Sequence, residues 1–131
     1  VRIGHRSRFA AARPSEPRAR LVVGLLALWV VAAGVAEATF VAGEADAYGY
    51  VSQAELWRRG ALRLEQQFAR TFPWPHAPWT FAPLGYRPAP EPGYLVPVYA
   101  PGLPLLMAGA QVGGTCAAYY VVPLAGGLAV V

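Results

Sequence analysis

The sequence predicts an all-α integral membrane protein with two to three transmembrane helices and an extracytoplasmic loop that carries an interfacial amphipathic helix. Three observations predict this fold class. The 131-residue chain is 56% hydrophobic, and only 14% of its residues are charged, whereas about a quarter are charged in a typical soluble domain. A twenty-residue apolar run follows an arginine-rich start, and no charged residue occurs between Pro92 and Val131.

The basic residues are concentrated at the start of the chain. All 11 are arginines, and six of them lie within residues 1–20. A formal net charge of +4 would fit a nucleic-acid-binding protein if the arginines formed a stripe or patch on a folded domain. Arginines that precede an apolar run instead set membrane orientation. We therefore expect no nucleic-acid partner, and we predict that residues 1–20 form a cytoplasmic tail.

The first transmembrane helix is predicted over residues 21–43, because about 20 apolar residues cross a hydrocarbon core of roughly 30 Å. A cleaved signal peptide is the alternative, since it also places arginine before an apolar run, although its core has only about 7 to 15 residues. Here the uncharged run extends from Leu21 to Ala36. Glu37 follows it, either as a functional acid or as a glutamate solvated at the interface.

The predicted extracytoplasmic loop, residues 44–93, begins with an amphipathic helix over about residues 46–59. Apolar residues recur there at helical spacing, and Gly60 can adopt the left-handed conformation that often ends a helix. The stripe either lies along the membrane interface or packs on neighbouring protein. It consists of Tyr50, Ala54, Trp57, Ala61 and Leu64.

A loop rich in proline and aromatic residues is predicted over residues 71–93. Its proline density disfavours a helix or a central strand, and its aromatic residues argue against a disordered linker. A second transmembrane segment is predicted over residues 94–112, with regular helix beginning near Pro101. After a short turn, a third transmembrane helix begins over residues 116–131. Because the chain ends inside this apolar run and starts with valine, we expect an N-terminal fragment of a longer protein.

Two residues that often carry chemistry have no partners in the sequence. Cys116 is the single cysteine, so it cannot form an intrachain disulfide, and we expect it to behave as a small hydrophobe. His76 has no second histidine or cysteine nearby, as a zinc site would need. We expect a structural or surface histidine, and no metal site is predicted from these residues.

Three acids, Glu37, Glu44 and Asp46, cluster where the first apolar run ends. Asp46 begins the predicted amphipathic helix, and aspartate at a helix N-terminus is a favoured cap worth about 0.5–2 kcal/mol. The residues alone therefore leave open whether Asp46 caps the helix or takes part in chemistry.

The spacing around Asp46 resembles a known family. The stretch DAYGYVSQAELWRRG, residues 46–60, resembles the first outer loop of the GT-C glycosyltransferases, which include the dolichyl-phosphate-mannose-protein mannosyltransferases and the lipid A aminoarabinose transferase. A second stretch, YAPGLPLL at Tyr99–Leu106, resembles the proline-glycine segment that leads into the next span of these enzymes. Many members carry a second acid directly after the first, where this chain has Ala47. Glu44 is the substitute that we consider.

The resemblance implies a polytopic enzyme of the bacterial inner membrane with a cytoplasmic N-terminus. Such an enzyme transfers a hexosyl or pentosyl group from a polyprenyl-phosphate donor to an acceptor hydroxyl on the extracytoplasmic side. The resemblance makes Asp46 the catalytic base, which must reach the hydroxyl within hydrogen-bond distance, with Glu44 as its partner. Alternatively, the acid holds the acceptor or a divalent metal ion.

The same resemblance calls for positive groups that bind the carrier phosphate. Arg58, Arg59, Arg63 and Arg87 are available, with solvated surface arginines as the alternative, and Tyr50 is a further substrate-binding candidate. Two other functions remain open: a fragment of a polytopic transporter, in which Glu37 would face an ion path, and a small structural membrane protein without catalysis. We expect the fragment alone to be inactive. The sequence does not identify the sugar or the acceptor.

Overall fold

The computed structural model describes residues 17–131. Within them the chain forms five α-helices and three short strands. The helices are α1 (Pro17–Ala36), α2 (Ala45–Arg58), α3 (Ala77–Thr80), α4 (Gly102–Ala110) and α5 (Val121–Val130). The strands are β1 (Leu64–Glu65), β2 (Tyr86–Pro88) and β3 (Tyr94–Pro97), and 3₁₀ turns occupy Gln67–Thr71, Gln111–Gly113 and Thr115–Tyr120. Most of the predicted cytoplasmic tail lies outside the described residues.

The prediction of a mainly helical chain is confirmed, but the prediction that it is all-α is wrong. The three strands form an antiparallel sheet in the order β1-β3-β2. Its central strand buries Leu95 completely. Prolines did not prevent this sheet because they lie where a sheet tolerates them: Pro88 ends the edge strand β2, and Pro97 is the last residue of β3.

Helix α1 is the one helix within residues 17–131 that is both long and apolar enough to cross a membrane, with a mean hydropathy of 2.2. None of its residues is buried, and Leu28 and Trp29 are 64% and 67% exposed. A core helix of a soluble protein would be mostly buried, unlike α1. A signal sequence near the N-terminus, however, can have the same length and apolar composition as α1. The helix ends at Ala36 rather than near residue 43, and the chain then turns at Phe40, whose φ is 52°.

Helices α1 and α5 pack against each other through small residues. A β-carbon on Gly34 would lie 3.1 Å from Cβ of Pro123, and one on Gly127 would lie 2.4 Å from Cγ2 of Val31. Beyond the end of α1, Phe40 contacts the ring of Tyr120, with centroids 5.3 Å apart. Small residues that let two helix backbones approach closely are typical of helix pairs in membranes.

The predicted second span, residues 94–112, contains a strand followed by a helix. Its first residues form strand β3, and α4 begins at Gly102, close to the predicted helix start at Pro101. The apolar helical segments Gly102–Gly113 and Thr115–Val130 are each shorter than the roughly 20 residues that a straight span needs. Strand pairing by Tyr94–Pro97 therefore leaves the first residues of this segment outside the helix.

Helix α2 matches its prediction closely, and its end has a clear cause. Gly60 has a φ of +74°. Its amide donates to the carbonyl of Trp57, and the amide of Ala61 donates to that of Leu56. These two bonds form the Schellman motif, in which a left-handed glycine satisfies the last carbonyls of a helix. The predicted stop at Gly60 is confirmed.

The inner face of α2 packs on protein. Gly49, Gln53 and Ala54 are buried, and Ala54 forms a small core with Met107 of α4 and Ala118. Of the two readings of the apolar stripe, packing on neighbouring protein therefore holds for its first turns. This packing brings the N-terminus of α2 beside the end of α1.

Candidate functional site

A groove of about 510 Å³ opens where the end of α1, the first turns of α2, α4 and the turn before α5 meet. Two carboxylates line it, those of Glu37 and Asp46. The remaining lining is partly polar, from Thr39, Tyr50 and Tyr119, and largely apolar, from residues that include Phe40, Val51, Leu103, Met107 and Val122. Its volume falls within the range of small-molecule sites, about 300–1,000 Å³.

Asp46 lies in the first turn of α2 and does not cap the helix. Glu44 holds the N-cap position, and its side chain makes no capping hydrogen bond. The Oδ1 atom of Asp46 instead accepts a hydrogen bond of 2.5 Å from the hydroxyl of Tyr99. An acid in the first turn still interacts favourably with the helix dipole, but the capping alternative for Asp46 is wrong.

Tyr99 lies between β3 and α4, and its partly buried ring packs closely against its neighbours. It stacks on the ring of Tyr50, with centroids 4.6 Å apart. A β-carbon on Gly49 would lie 2.0 Å from Cε2 of Tyr99, and one on Gly85 would lie 2.6 Å from the same atom. The backbone carbonyl of Tyr99 accepts a 3.4 Å hydrogen bond from Nε2 of Gln53. The Asp46 carboxylate raises the pKa of Tyr99 above its ordinary value through their hydrogen bond.

The second acid of the groove is Glu37, not Glu44. Glu44 is exposed at the start of α2 and does not line the groove, so the structure does not bring it together with Asp46 as expected. Glu37 lies one residue beyond α1 and lines the groove beside Asp46. Tyr50, predicted to bind substrate, also lines it. Sequence reasoning missed Tyr99, although that residue begins the second stretch of the resemblance.

The arginines considered for the carrier phosphate are not brought to the groove. Arg58 and Arg59 bind Glu55 with N–O distances of 2.7 and 2.8 Å. The hydrogen bonds from the two arginines lower the pKa of Glu55 from 4.5 to about 2. The hydrogen bond between Arg58 and Glu55 also raises the pKa of Arg58. At 1.5 Å per residue, Arg58 lies about 18 Å along α2 from Asp46.

The other two arginines lie on the sheet side of the molecule. Arg87 is exposed on β2, opposite Val96. Arg63 forms an ion pair with Glu91 and lies 4.9 Å over the ring of Tyr94. No arginine among the described residues lines the groove.

The donor set does not fit a metal ion held by side chains alone, because residues 17–131 contain no cluster of three or more histidine, cysteine or acidic side chains that could ligate one. His76 is an exposed residue before α3, as expected. Cys116 is exposed, and the expectation that it behaves as a small hydrophobe stays a prediction.

The groove has the groups for removing a proton from a bound hydroxyl. A carboxylate only accepts hydrogen bonds, and Oδ1 of Asp46 already accepts one from Tyr99. Its Oδ2 has no hydrogen-bond partner within the described part of the chain. Comparisons of the chain with protein-family models, with curated proteins and with solved structures find no match.

Proposed function

We propose that the chain is part of a polytopic membrane glycosyltransferase that transfers a sugar from a polyprenyl-phosphate donor to an acceptor hydroxyl on the extracytoplasmic side. In this proposal the groove binds the acceptor, and Asp46 is the general base. The observation that carries it is the position of Asp46, whose carboxylate lines a ligand-sized groove while a tyrosine holds one of its oxygens.

The membrane location is supported by α1 and its partner helix. The large apolar side chains of α1 are exposed, and such a surface needs lipid or protein around it. The close glycine contacts between α1 and α5 are of the kind that joins helices in a bilayer. We propose that α1 is a retained inner-membrane anchor and that the bilayer is a partner of the protein. A cleaved signal sequence remains the competing identity of α1.

The order of the two resembling stretches also supports the proposal. The stretch that begins at Asp46 and the one that begins at Tyr99 are 53 residues apart in sequence, yet they meet in the hydrogen bond between these two residues. The contact places the proposed base beside α4, whose residues Leu103 and Met107 line the groove.

In the proposed step, the acceptor hydroxyl oxygen attacks the anomeric carbon of the donor sugar. The new bond joins that carbon to the acceptor oxygen, and the bond from the carbon to the carrier phosphate oxygen breaks. The hydroxyl proton passes to Asp46, and polyprenyl phosphate leaves with the bonding electrons. A base positioned within hydrogen-bond reach contributes about 10²–10⁴-fold to such a step.

The charges of the groove favour the acceptor over the carrier phosphate. Two carboxylates repel an anion, and no described arginine lines the groove. Arg58 and Arg59 are held by Glu55. We therefore place the phosphate of the donor outside the groove, with only the anomeric carbon reaching its mouth.

The test measures transfer of a radiolabelled sugar from polyprenyl-phosphate donors by the full-length protein in native membranes. Asp46→Asn keeps the shape of the side chain but removes the basic carboxylate. We expect a loss of about 100-fold or more in the transfer rate at an unchanged protein level. Glu65→Gln is the matched control, because it removes an exposed acid on β1, outside the groove.

Three results would contradict the proposal in different ways. Wild-type transfer by Asp46→Asn would remove Asp46 from the chemistry. An equal loss in Glu65→Gln would indicate a general effect of charge or folding. Absence of transfer by the wild-type protein with a panel of donors would favour the transporter or the structural role. A transporter is less well supported, because Glu37 lies beyond the end of α1 rather than near the middle of a span, where substrate and ion sites of transporters lie.

A further inference from the structure

We infer that Tyr99 is a positioning residue for Asp46, which holds Oδ1 of the carboxylate through its hydroxyl and leaves Oδ2 for the acceptor hydroxyl. The inference rests on the proposed function and adds the group that orients its base. Neither the resemblance nor the sequence pattern assigns any role to Tyr99. Its hydroxyl contacts Asp46, but the residue is not part of the groove lining. Tyr99 would therefore act through Asp46 rather than on the substrate.

Asp46 needs such a partner because its surroundings do not fix it. The residue is exposed and lies in the first turn of α2. An exposed aspartate samples several side-chain rotamers, and catalysis by a base depends on its alignment with the reacting proton. One hydrogen bond from a rigid donor restricts this freedom. The described residues provide no other hydrogen bond to the Asp46 side chain.

The ring of Tyr99 is itself packed against several neighbours. Gly49 and Gly85 leave room for the ring that any β-carbon would fill, and Tyr50 stacks on it. Gln53, which is only 2% exposed, anchors the backbone of Tyr99 through the carbonyl. Functional groups held by packed neighbours of this kind keep their geometry more precisely than groups on free loops.

The arrangement joins three parts of the chain at one point. Gly49 belongs to α2, Gly85 precedes β2, and Tyr99 follows β3. The small sheet and the start of α4 are thus tied to the base through a single side chain. This connection gives the sheet, which the sequence did not predict, a role in the site.

The test compares Tyr99→Phe with a matched control, Tyr86→Phe, in the full-length protein. Tyr86 also donates its hydroxyl to a residue of α2, Ser52, at 3.1 Å, but it contacts neither Asp46 nor the groove. We expect Tyr99→Phe to lower kcat for sugar transfer by about 10- to 100-fold, the scale of a misaligned catalytic group, with KM changed by less than about two-fold. Tyr86→Phe should leave both values unchanged.

A second measurement follows the hydrogen bond without using activity. The purified wild-type protein and Tyr99→Phe are titrated with base and followed by ultraviolet absorbance. The difference between the two titration curves should report the ionisation of Tyr99 alone, with a pKa above the ordinary 10.0. In Asp46→Asn that tyrosine should titrate closer to 10.0, since the carboxylate that disfavours the phenolate is gone.

The outcomes separate this inference from the proposed function. If Asp46→Asn abolishes transfer while Tyr99→Phe keeps the wild-type kcat, the positioning role is wrong and the proposed function stands. A rise in KM without a fall in kcat also overturns it, because it would indicate substrate binding by Tyr99. If the difference titration finds no tyrosine of raised pKa, the hydrogen bond itself is absent. Wild-type transfer by Asp46→Asn overturns both proposals together.

Discussion

Gly127 of α5 lies directly against Val31 of α1, and a β-carbon on the glycine would be only 2.4 Å from Cγ2 of Val31 and 3.2 Å from the backbone oxygen of Ala27. Real β-carbons essentially never come within 3.0 Å of other atoms, so at 2.4 Å the two helices can keep their separation only while residue 127 has no side chain. The contact also bears on the groove, because Val122 and Tyr119, near the start of the same helical segment, line it.

We expect Gly127→Ala to destabilise the protein by about 1–3 kcal/mol, the usual cost of overfilling a packed contact. The substitution would do so although alanine in an exposed helix is about 1 kcal/mol more favourable than glycine. Thermal unfolding in detergent, followed by circular dichroism, measures the effect. Gly24→Ala is the control, since a β-carbon at that position of α1 would meet no atom within 4 Å beyond its chain neighbours and the adjacent helix backbone. Equal stability of the two variants would show that α1 and α5 do not pack as described.

Gly49 is predicted to be coupled energetically to Tyr99. A β-carbon at residue 49 would lie 2.0 Å from the ring of Tyr99, so Gly49→Ala should displace the ring and destabilise the protein. In a Tyr99→Ala background the space is empty, and Gly49→Ala should then be neutral or stabilising. A double-mutant cycle of unfolding free energies should give a coupling of about 1–3 kcal/mol, as for residues in direct contact. Additive effects of the two substitutions would contradict the enclosed position of Tyr99.

Local features were predictable from the sequence because their causes are local. Helix α2 ends just before Gly60, and a glycine at that position is visible in the sequence. The helical spacing of Tyr50 and Ala54 predicts the face of the helix that packs on protein. The pairing of Arg58 and Arg59 with Glu55 could also have been predicted, because residues three and four apart on a helix are neighbours. Because both arginines pair with Glu55, this helical spacing argues against them as ligands of the carrier phosphate.

Long-range features were not predictable in the same way. Leu64 pairs with Leu95. Strand β1 has only two residues, which is too short for an alternating pattern that would predict the strand or its partner. The contact of Tyr99 with Asp46 depends on the approach of Gly49 to Gly85, which only the folded chain shows. Proximity in sequence points to Glu44 as the second acid, whereas the turn after α1 brings Glu37 to the groove instead.

Substitutions of Glu37 and Glu44 should therefore differ in their effect on sugar transfer. Glu37 shares the groove with Asp46, so Glu37→Gln should reduce sugar transfer. We expect a loss of about 10- to 100-fold, because a hydrogen bond from the acceptor to a charged group is worth about 1.5–3 kcal/mol. Glu44→Gln should change transfer little, because that side chain lies outside the groove. The transfer assay in native membranes, at matched protein levels, decides between them. A larger loss of transfer in Glu44→Gln than in Glu37→Gln would indicate that Glu44, and not Glu37, is the partner of Asp46.

The ion pairs of Glu55 predict how stability depends on pH. Hydrogen bonds from Arg58 and Arg59 lower the pKa of Glu55 from 4.5 to about 2 in the folded protein. A carboxyl group whose pKa is lower in the folded state stabilises that state above its unfolded pKa, and the contribution is lost as the pH falls through the folded value. The contribution of Glu55 should therefore be complete above about pH 5 and should disappear between about pH 4.5 and pH 2.

We expect Glu55→Gln to flatten this part of the pH profile, with a melting temperature lower than that of wild type at pH 7 and close to it at pH 2. Thermal unfolding at a series of pH values from 7 to 2 measures it. Glu65→Gln serves as the control, since Glu65 forms no ion pair within residues 17–131 and its removal should leave the slope unchanged. Because the pairs are exposed, 1 M salt should reduce the difference between wild type and Glu55→Gln at pH 7. Parallel profiles for wild type and Glu55→Gln would mean that Glu55 does not hold the two arginines, which would then be free to bind an anion.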